Sequence, residues 1–395
     1  MSSLDETLKQ RLAALREQNL FREPRRVDSA QGPRIEVDGR TLLNFSSNDY
    51  LGLANHPALK EAAIGAVTQF GAGAGASRLI CGSLAPFHEL EETLAAFKNT
   101  GAALTFSTGY ATALGTICAL LGREDVIILD KLVHACIVDA ARLSGAKMRV
   151  FDHNDMGDLE VILKWADTKH RKQNPEAKIL IATESVFSMD GDCAPLREMV
   201  ALKDRYGAWL MVDEAHATGV IGRDGRGLAD ELGVGERIEI QMGTLGKALG
   251  ASGGYICGSR LLVDFLVNRA RSFIFSTAPA PAAAAAARAA IKLIQSPEGK
   301  KRRDALQQHI AEFKSEIQNP KSDIASAIIP LILGDEKKAV TAAAKLREQD
   351  IFVPAVRYPT VARGTARLRV TLSAAHSAKD VATLARALKK TGIQK

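Results

Sequence analysis

Short apolar runs and longer helical stretches alternate from residue 100 onward: Ala-Ala-Leu-Thr-Phe at 102 to 106, Asp-Val-Ile-Ile-Leu at 125 to 129 and Lys-Met-Arg-Val-Phe at 147 to 151. The series continues with Ile-Leu-Ile-Ala-Thr at 179 to 183, Trp-Leu-Met-Val at 209 to 212, Ile-Glu-Ile-Gln-Met at 238 to 242 and Gly-Tyr-Ile-Cys at 254 to 257. Runs of this length with little polar alternation suit strands buried on both faces, and the helix-length segments between them suit parallel crossovers. The pattern predicts an α/β fold, with a seven-stranded sheet covered by helices. Leu4, Leu8, Leu12 and Leu15 stand at helical spacing among charged residues, which predicts an amphipathic N-terminal helix instead of a signal peptide.

After Pro279 and Pro281 the pattern changes. An alanine-rich stretch to about Ser296 and the charged segment Glu298 to Ile317 read as long helices. Beyond them come a strand (Ala327 to Leu333), a helix (Glu336 to Gln349), two strands (Ile351 to Val356 and Ala366 to Leu372) and a helix (Ser377 to Lys390). This predicts a smaller C-terminal α/β domain. The organisation expected is therefore an N-terminal helix and short β segment over 1–50, a large domain over 51–285 and a small one over 286–395.

Composition narrows the class. With 46% hydrophobic and 25% charged residues the chain is that of a folded globular protein, not a disordered one. The net charge of +7 is dispersed along the chain, which favours small anionic ligands over a nucleic-acid track. Five widely spaced cysteines and no Cys-x-x-Cys pair exclude a disulfide framework and a zinc site, and the eight histidines include no metal-ligand spacing. No apolar stretch reaches the ~20 residues of a spanning helix. A cytoplasmic enzyme is expected, with no metal and no membrane or nucleic-acid partner.

In an open parallel sheet, ligands sit beyond the carboxyl ends of the strands, so polar residues just after strand runs are the first candidates. Asp213-Glu214-Ala215-His216 follows one run, and Glu184, Ser185 and Ser188 follow another. Ser107-Thr108-Gly109-Tyr110 opens a helix, whose free N–H groups and hydroxyls could cradle a phosphate; alone, it is equally a capped helix start. Lys247 stands in the glycine-rich segment Gly243-Thr244-Leu245-Gly246-Lys247, where burial would make its amine a Schiff-base nucleophile. His134 follows a further run, either as a ring-stacking imidazole or as a satisfied polar residue.

Two motifs mislead. Asp213 to His216 spells the DEAH box of helicases, but the phosphate-loop pattern fails at Lys247, since Gln241 and Ala248 replace its glycine and hydroxyl residue. Gly250-Ala251-Ser252-Gly253-Gly254 matches the nucleophile elbow, yet it precedes a strand. The remaining combination of aspartate, histidine, phosphate cradle and lysine at strand ends matches the needs of pyridoxal 5′-phosphate.

At these residues the sequence resembles the α-oxoamine synthase family of fold-type-I pyridoxal-phosphate enzymes, whose sheet is mostly parallel. The motifs that carry the resemblance are Asn44 to Leu53, Thr183 to Asp192, Val212 to Gly219, Thr244 to Lys247, Phe275 to Thr277 and Gly364 to Arg369. The resemblance implies that Lys247 holds the cofactor and moves the substrate Cα proton, that Asp213 pairs with the pyridinium and that His134 stacks on the ring. It places His216 and Ser188 on the phenolic-oxygen side, with Glu184 among the cofactor contacts, and Gly109, Tyr110 and Thr244 toward the phosphate. Ser276 and Thr277 resemble the segment that reaches a neighbouring subunit's phosphate, implying a homodimer with shared sites. Arg369 would clamp the amino-acid carboxylate with Asn48 nearby, while Arg22 and Thr360 would touch the acyl substrate.

The residues themselves support part of this. Arg367 and Arg369 lie two apart in an alternating strand and so share a face, which suits a carboxylate clamp or a solvent-facing strand edge. Arg22 would end the N-terminal helix, where it faces either an acidic substrate or solvent. The branch resembled most condenses L-alanine with a pimeloyl thioester of CoA or carrier protein, on the way to biotin. Glycine with acetyl-CoA and other α-oxoamine synthase pairs stay open, because Ile80-Cys81-Gly82 resembles 2-amino-3-ketobutyrate ligase, and Tyr358 and Ala362-Arg363 depart from the common acyl-site pattern. An aminotransferase and a nucleic-acid-associated DEAH protein are the readings from other classes.

Overall fold

The computed structural model describes residues 2–317 and 326–392. Thirteen strands are formed among them: β1 (Arg34–Val37), β2 (Arg40–Asn44), β3 (Ala102–Phe106), β4 (Val126–Asp130), β5 (Lys147–Phe151), β6 (Ile179–Glu184) and β7 (Trp209–Asp213). The rest are β8 (Ile240–Thr244), β9 (Gly254–Gly258), β10 (Ile328–Gly334), β11 (Ile351–Phe352), β12 (Ala355–Val356) and β13 (Ala366–Thr371). The chain groups into two compact units, one of residues 49–188 and 192–304, the other of 1–48, 189–191 and 305–395.

The larger unit carries the seven-stranded sheet in the order β3-β9-β8-β7-β6-β4-β5. All residues of β3, β4, β6 and β9 are buried, as strands covered on both faces must be. Ile127, Leu129, Met211 and Ile256 of the sheet form one core with Ala113, Ile117 and Ile137 of the helices Gly109–Leu120 and Ala135–Ser144. Two strands depart from the expected pattern. β5 has one neighbour, β4, and at this edge only Phe151 is buried. β9 runs antiparallel to both β3 and β8. The 245–253 connection is too short for a crossover helix, so the chain returns beside β8 in the opposite sense.

The other unit holds two three-stranded sheets, β1-β2-β11 and β10-β13-β12. The single strand expected over 351–356 divides into two two-residue strands belonging to different sheets, broken around Val353 and Pro354. A proline donates no ladder hydrogen bond, which suits the break. The N-terminal helix Ser3–Glu17 is closed by a Ser2–Asp5 capping box, and none of its residues is buried. It stops at Glu17, with Asn19 in the left-handed region (φ 55°), so Arg22 lies beyond it in non-helical chain instead of ending it.

Candidate active site

β7 and β8 are adjacent parallel strands, and the chain leaving each tip supplies the central groups. Asp213 ends β7 buried, its Oδ1 accepting from the Ala215 N–H at 2.9 Å. Three residues on, His216 is buried with Nε2 2.8 Å from Lys247 Nζ and Nδ1 2.5 Å from Tyr50 Oη. Lys247 is half-buried, more accessible than its apolar neighbours suggested. Its loop is closed by backbone bonds from Leu245 N to Gly253 O and from Ala251 N to Leu245 O. Gly250 lies at φ +60°, where a Cβ would come within 2.6 Å of Ala54 N, so the motif around Tyr50 packs directly against the lysine loop.

The electrostatics leave this site short of positive charge. Burial raises the Asp213 pKa, against the pull of Lys247. Glu184, at the end of β6, is pushed up to about 8, first by burial and then by the nearby Asp213 charge. Its Oε2 accepts from the Ser188 N–H at 3.1 Å, while Oε1 is buried with no hydrogen-bond partner. Two buried carboxylates therefore face one lysine, an arrangement that a further buried cation would relieve.

Around this centre lie a flat ring and an anion cradle. His134 caps the helix Ala135–Ser144, its Nδ1 accepting from Cys136 N at 3.2 Å. The residue is exposed, yet partial burial of its imidazole lowers the pKa, with Asp213 opposing, which favours the neutral form. The helix Gly109–Leu120 is capped by Thr108, which accepts from Ala111 N at 3.0 Å. A Cβ on Gly109 would stand 2.6 Å from Thr244 Cγ2, so the glycine lets the helix start against β8. Thr244 Oγ1 is buried with no hydrogen-bond partner. The Tyr110 phenol donates to Asp139 at 2.6 Å, leaving its backbone as the part directed by the helix start.

The orphaned Thr244 hydroxyl beside a helix N-terminus, the cation deficit at Asp213 and the lysine amine fit pyridoxal phosphate. The hydroxyl and helix amides suit its phosphate, the aspartate a protonated ring nitrogen, and Lys247 its aldehyde.

The second acid of Asp213-Glu214-Ala215-His216 points elsewhere. Glu214 is fully buried, ion-paired with Lys98, and accepts from Ala229 N at 2.9 Å. Thr277 pairs with Ser77 in an isolated antiparallel bridge, beside exposed Phe275 (69%) and Ile80 (79%); Ser276 precedes it. A cavity of about 610 Å³ opens at the opposite strand ends, near Trp209, Ile240 and Gly258, and includes none of the expected site residues. The carboxylate of Glu239 beside it is already engaged by Lys203 and the Leu210 N–H.

In the other unit, Arg369 of β13 donates to Asn48 Oδ1 at 3.1 Å and Thr371 Oγ1 at 2.9 Å. Arg367 instead ion-pairs with Asp190 at 2.6 Å. Both arginines are buried on the central strand of their sheet, so the solvent-facing edge does not apply. Arg22 donates to Thr360 Oγ1 at 3.3 Å and to the carbonyls of Arg357 and Tyr358, joining the two residues expected at the acyl group.

Residue-by-residue reading gave no role to Tyr50 or to His153. Tyr50 stands inside the Asn44 to Leu53 motif, two residues after Asn48. His153 follows the tip of β5, a position that the strand-end rule covers. It lies between Asp130 Oδ1 (2.9 Å) and Asp192 Oδ2 (2.7 Å).

The family of class I and II aminotransferases matches over residues 40–388. An 8-amino-7-oxononanoate synthase of Geobacter sulfurreducens is 48% identical over 389 residues, covering 97% of this chain and 98% of its own. One from Geotalea daltonii is 46% identical over 379 residues, 95% of each chain. A serine palmitoyltransferase from S. paucimobilis, solved with PLP and myriocin bound, superposes with a TM-score of 0.91 at 26% identity over the whole of both chains.

Proposed function

The chain belongs to the class I and II aminotransferase family, and we propose that it is a pyridoxal-phosphate-dependent acyltransferase. It condenses L-alanine with a pimeloyl thioester, releasing carbon dioxide and CoA or carrier protein, to give 8-amino-7-oxononanoate for biotin synthesis. The observation that carries the reading is the Lys247–His216 contact of 2.8 Å beside buried Asp213. The substrate branch draws support from relatives of that name at 46–48% identity over nearly the whole chain.

When bound, the cofactor supplies an electron sink for the bond pair released at the substrate Cα. Lys247 would hold it and later carry the Cα proton on Nζ, while Asp213 holds the proton of the ring nitrogen. His134 presents an uncharged ring face. His216 and Ser188, the latter bonded through its N–H to Glu184, would serve the phenolic-oxygen side; Gly109, Tyr110 and Thr244 would serve the phosphate. Arg369 with Asn48 would take the alanine carboxylate as a planar clamp. Arg22 and Thr360, already bonded to one another, would meet the acyl chain, whose far carboxylate suits a guanidinium.

We further read the enzyme as a homodimer in which Ser276 and Thr277 serve the partner's phosphate. The exposed Phe275 and Ile80 beside the Thr277–Ser77 bridge support that, as apolar surface awaiting cover. We place the reaction in the cytoplasm, in keeping with five widely spaced cysteines. No helix among the described residues is long and apolar enough to cross a membrane.

Release of CoA by the cofactor-loaded protein tests the reading, with L-alanine, glycine and L-serine each crossed against pimeloyl-, acetyl-, succinyl- and palmitoyl-CoA. Turnover mainly with L-alanine and pimeloyl-CoA is expected. Preference for glycine with acetyl-CoA would overturn the substrate assignment and favour the ketobutyrate branch hinted at by Ile80-Cys81-Gly82.

A further inference from the structure

We propose that Tyr50 is a positioning residue for the lysine, acting through His216: its phenol holds the imidazole so that Nε2 faces Lys247 Nζ and can accept the proton the amine must lose to become a nucleophile. Tyr50 is fully buried, and its Oη lies 2.5 Å from His216 Nδ1, with Nε2 then 2.8 Å from Nζ. The three groups form a line from the protein interior to the half-buried lysine.

The backbone on either side of this line is hydrogen-bonded in place. The backbone after His216 is tied back by bonds from Ala217 N and Thr218 N to Glu214 O, and Thr218 Oγ1 meets Tyr255 Oη at 2.9 Å. Gly219 (φ +85°) lets that segment pack on Ala248, the residue after Lys247; a Cβ there would be 2.8 Å from Ala248 Cβ. Tyr50 is held in turn by Asp49, whose carboxylate accepts from Leu53 N at 2.7 Å and Ala54 N at 3.0 Å. With both backbones anchored, the phenol restrains rotation of the imidazole.

A hydroxyl suits the task because it both donates and accepts. While Lys247 is an ammonium, Nε2 accepts from it and Nδ1–H donates to Tyr50 Oη. Transfer of one proton from Nζ to Nε2 leaves a neutral amine and an imidazolium. The imidazolium then releases its Nε2 proton on the accessible lysine side, so that Nδ1–H stays on Tyr50 Oη and Nε2 is again an acceptor facing Nζ. Phenylalanine keeps the ring volume and abolishes the acceptor that holds Nδ1–H.

The inference rests on the reading of Lys247 as the cofactor lysine, but its first test does not need the cofactor. In cofactor-free, ¹⁵N-histidine-labelled protein at pH 8, with the His216 signal assigned by its loss in His216→Gln, the hydrogen is expected on Nδ1. In Tyr50→Phe that preference should give way to a mixture of tautomers. Hydrogen on Nε2 in the unaltered protein, or the same tautomer in both proteins, would overturn the proposal; the unaltered protein decides even if the variant does not fold. The second readout is the rate at which the visible absorption band appears on adding pyridoxal phosphate, expected to fall about tenfold in Tyr50→Phe for the loss of one positioning hydrogen bond. A variant of lowered thermal stability but unchanged loading rate and imidazole spectrum would reduce Tyr50 to a packing residue. If no absorption band forms in the unaltered protein, the proposed function fails, while the imidazole spectra still judge Tyr50.

Discussion

Two aspartate–histidine clusters stand at strand tips of the same seven-stranded sheet, and they are balanced differently. Beyond β4 and β5, His153 is clamped between Asp130 and Asp192 and lies edge-on to Phe187 at 4.3 Å. Burial pulls its pKa down, but the hydrogen bonds to both carboxylates outweigh it and raise the value to about 10, so the imidazole is a resident cation. Asp130 also accepts from Leu132 N and Asn154 N, which ties the loop leading to His134 to the tip of β5. Beyond β6, β7 and β8, by contrast, burial raises the pKa of both Asp213 and Glu184, against the pull of Lys247. The first cluster carries its own counter-charge in His153, whereas the second sets two buried acids against Lys247. The difference lies in how charge is balanced, since both clusters keep buried oxygens without hydrogen-bond partners: Asp192 Oδ1 and Asn154 Oδ1 in the first, Glu184 Oε1 and Thr244 Oγ1 in the second.

Substitutions can break that contrast. The largest effect is expected from Lys247→Ala: turnover should fall by about a thousandfold or more, as for loss of a covalent nucleophile, while the thermal midpoint hardly moves. Asp213→Asn comes next. It keeps the acceptor for Ala215 N but removes the charge, so turnover should drop by about 10²–10³-fold while the cofactor-free protein gains stability of about 1 kcal/mol at pH 8 in urea unfolding. His153→Ala should do the opposite. It strips the cation from buried Asp130 and destabilises by about 2–4 kcal/mol, with the surviving folded protein still turning over.

The pH dependence sharpens the same point. A histidine raised in the fold stabilises fully below its unfolded pKa of about 6.5, and that contribution is lost as pH rises through about 10. Denaturant unfolding should therefore show stability falling over that window, with a shallower slope in His153→Gln. The smallest effects separate the two arginines of β13. Arg369→Lys should raise the KM for L-alanine about tenfold with little change in stability, whereas Arg367→Lys should cost about 1 kcal/mol of stability through Asp190 and leave that KM alone.

The strands were readable because β3, β4, β6 and β9 are buried on both faces and so appear as unbroken apolar runs. Direction and neighbour were not. Nothing in Gly254 to Gly258 says antiparallel; the short connection before it does. β2 pairs in parallel with β11 across more than 300 residues of chain, a register that no local pattern encodes. At the site, Asp213, His216 and Lys247 could be located because each follows a strand. Strand position alone does not separate Asp213 from Glu214; the family resemblance singles out Asp213, and the Glu214–Lys98 pair forms only through tertiary packing. The partners of Tyr50 and His153 escaped for the same reason: a phenol in a loop and an imidazole after a strand show their purpose only when their hydrogen bonds are seen.

The most direct test of the account is to load the protein with pyridoxal phosphate, reduce it with borohydride and map the modified peptide by mass spectrometry. The account predicts one pyridoxyl group per chain, on Lys247. Modification of a different lysine, or labelling spread over many, would contradict it.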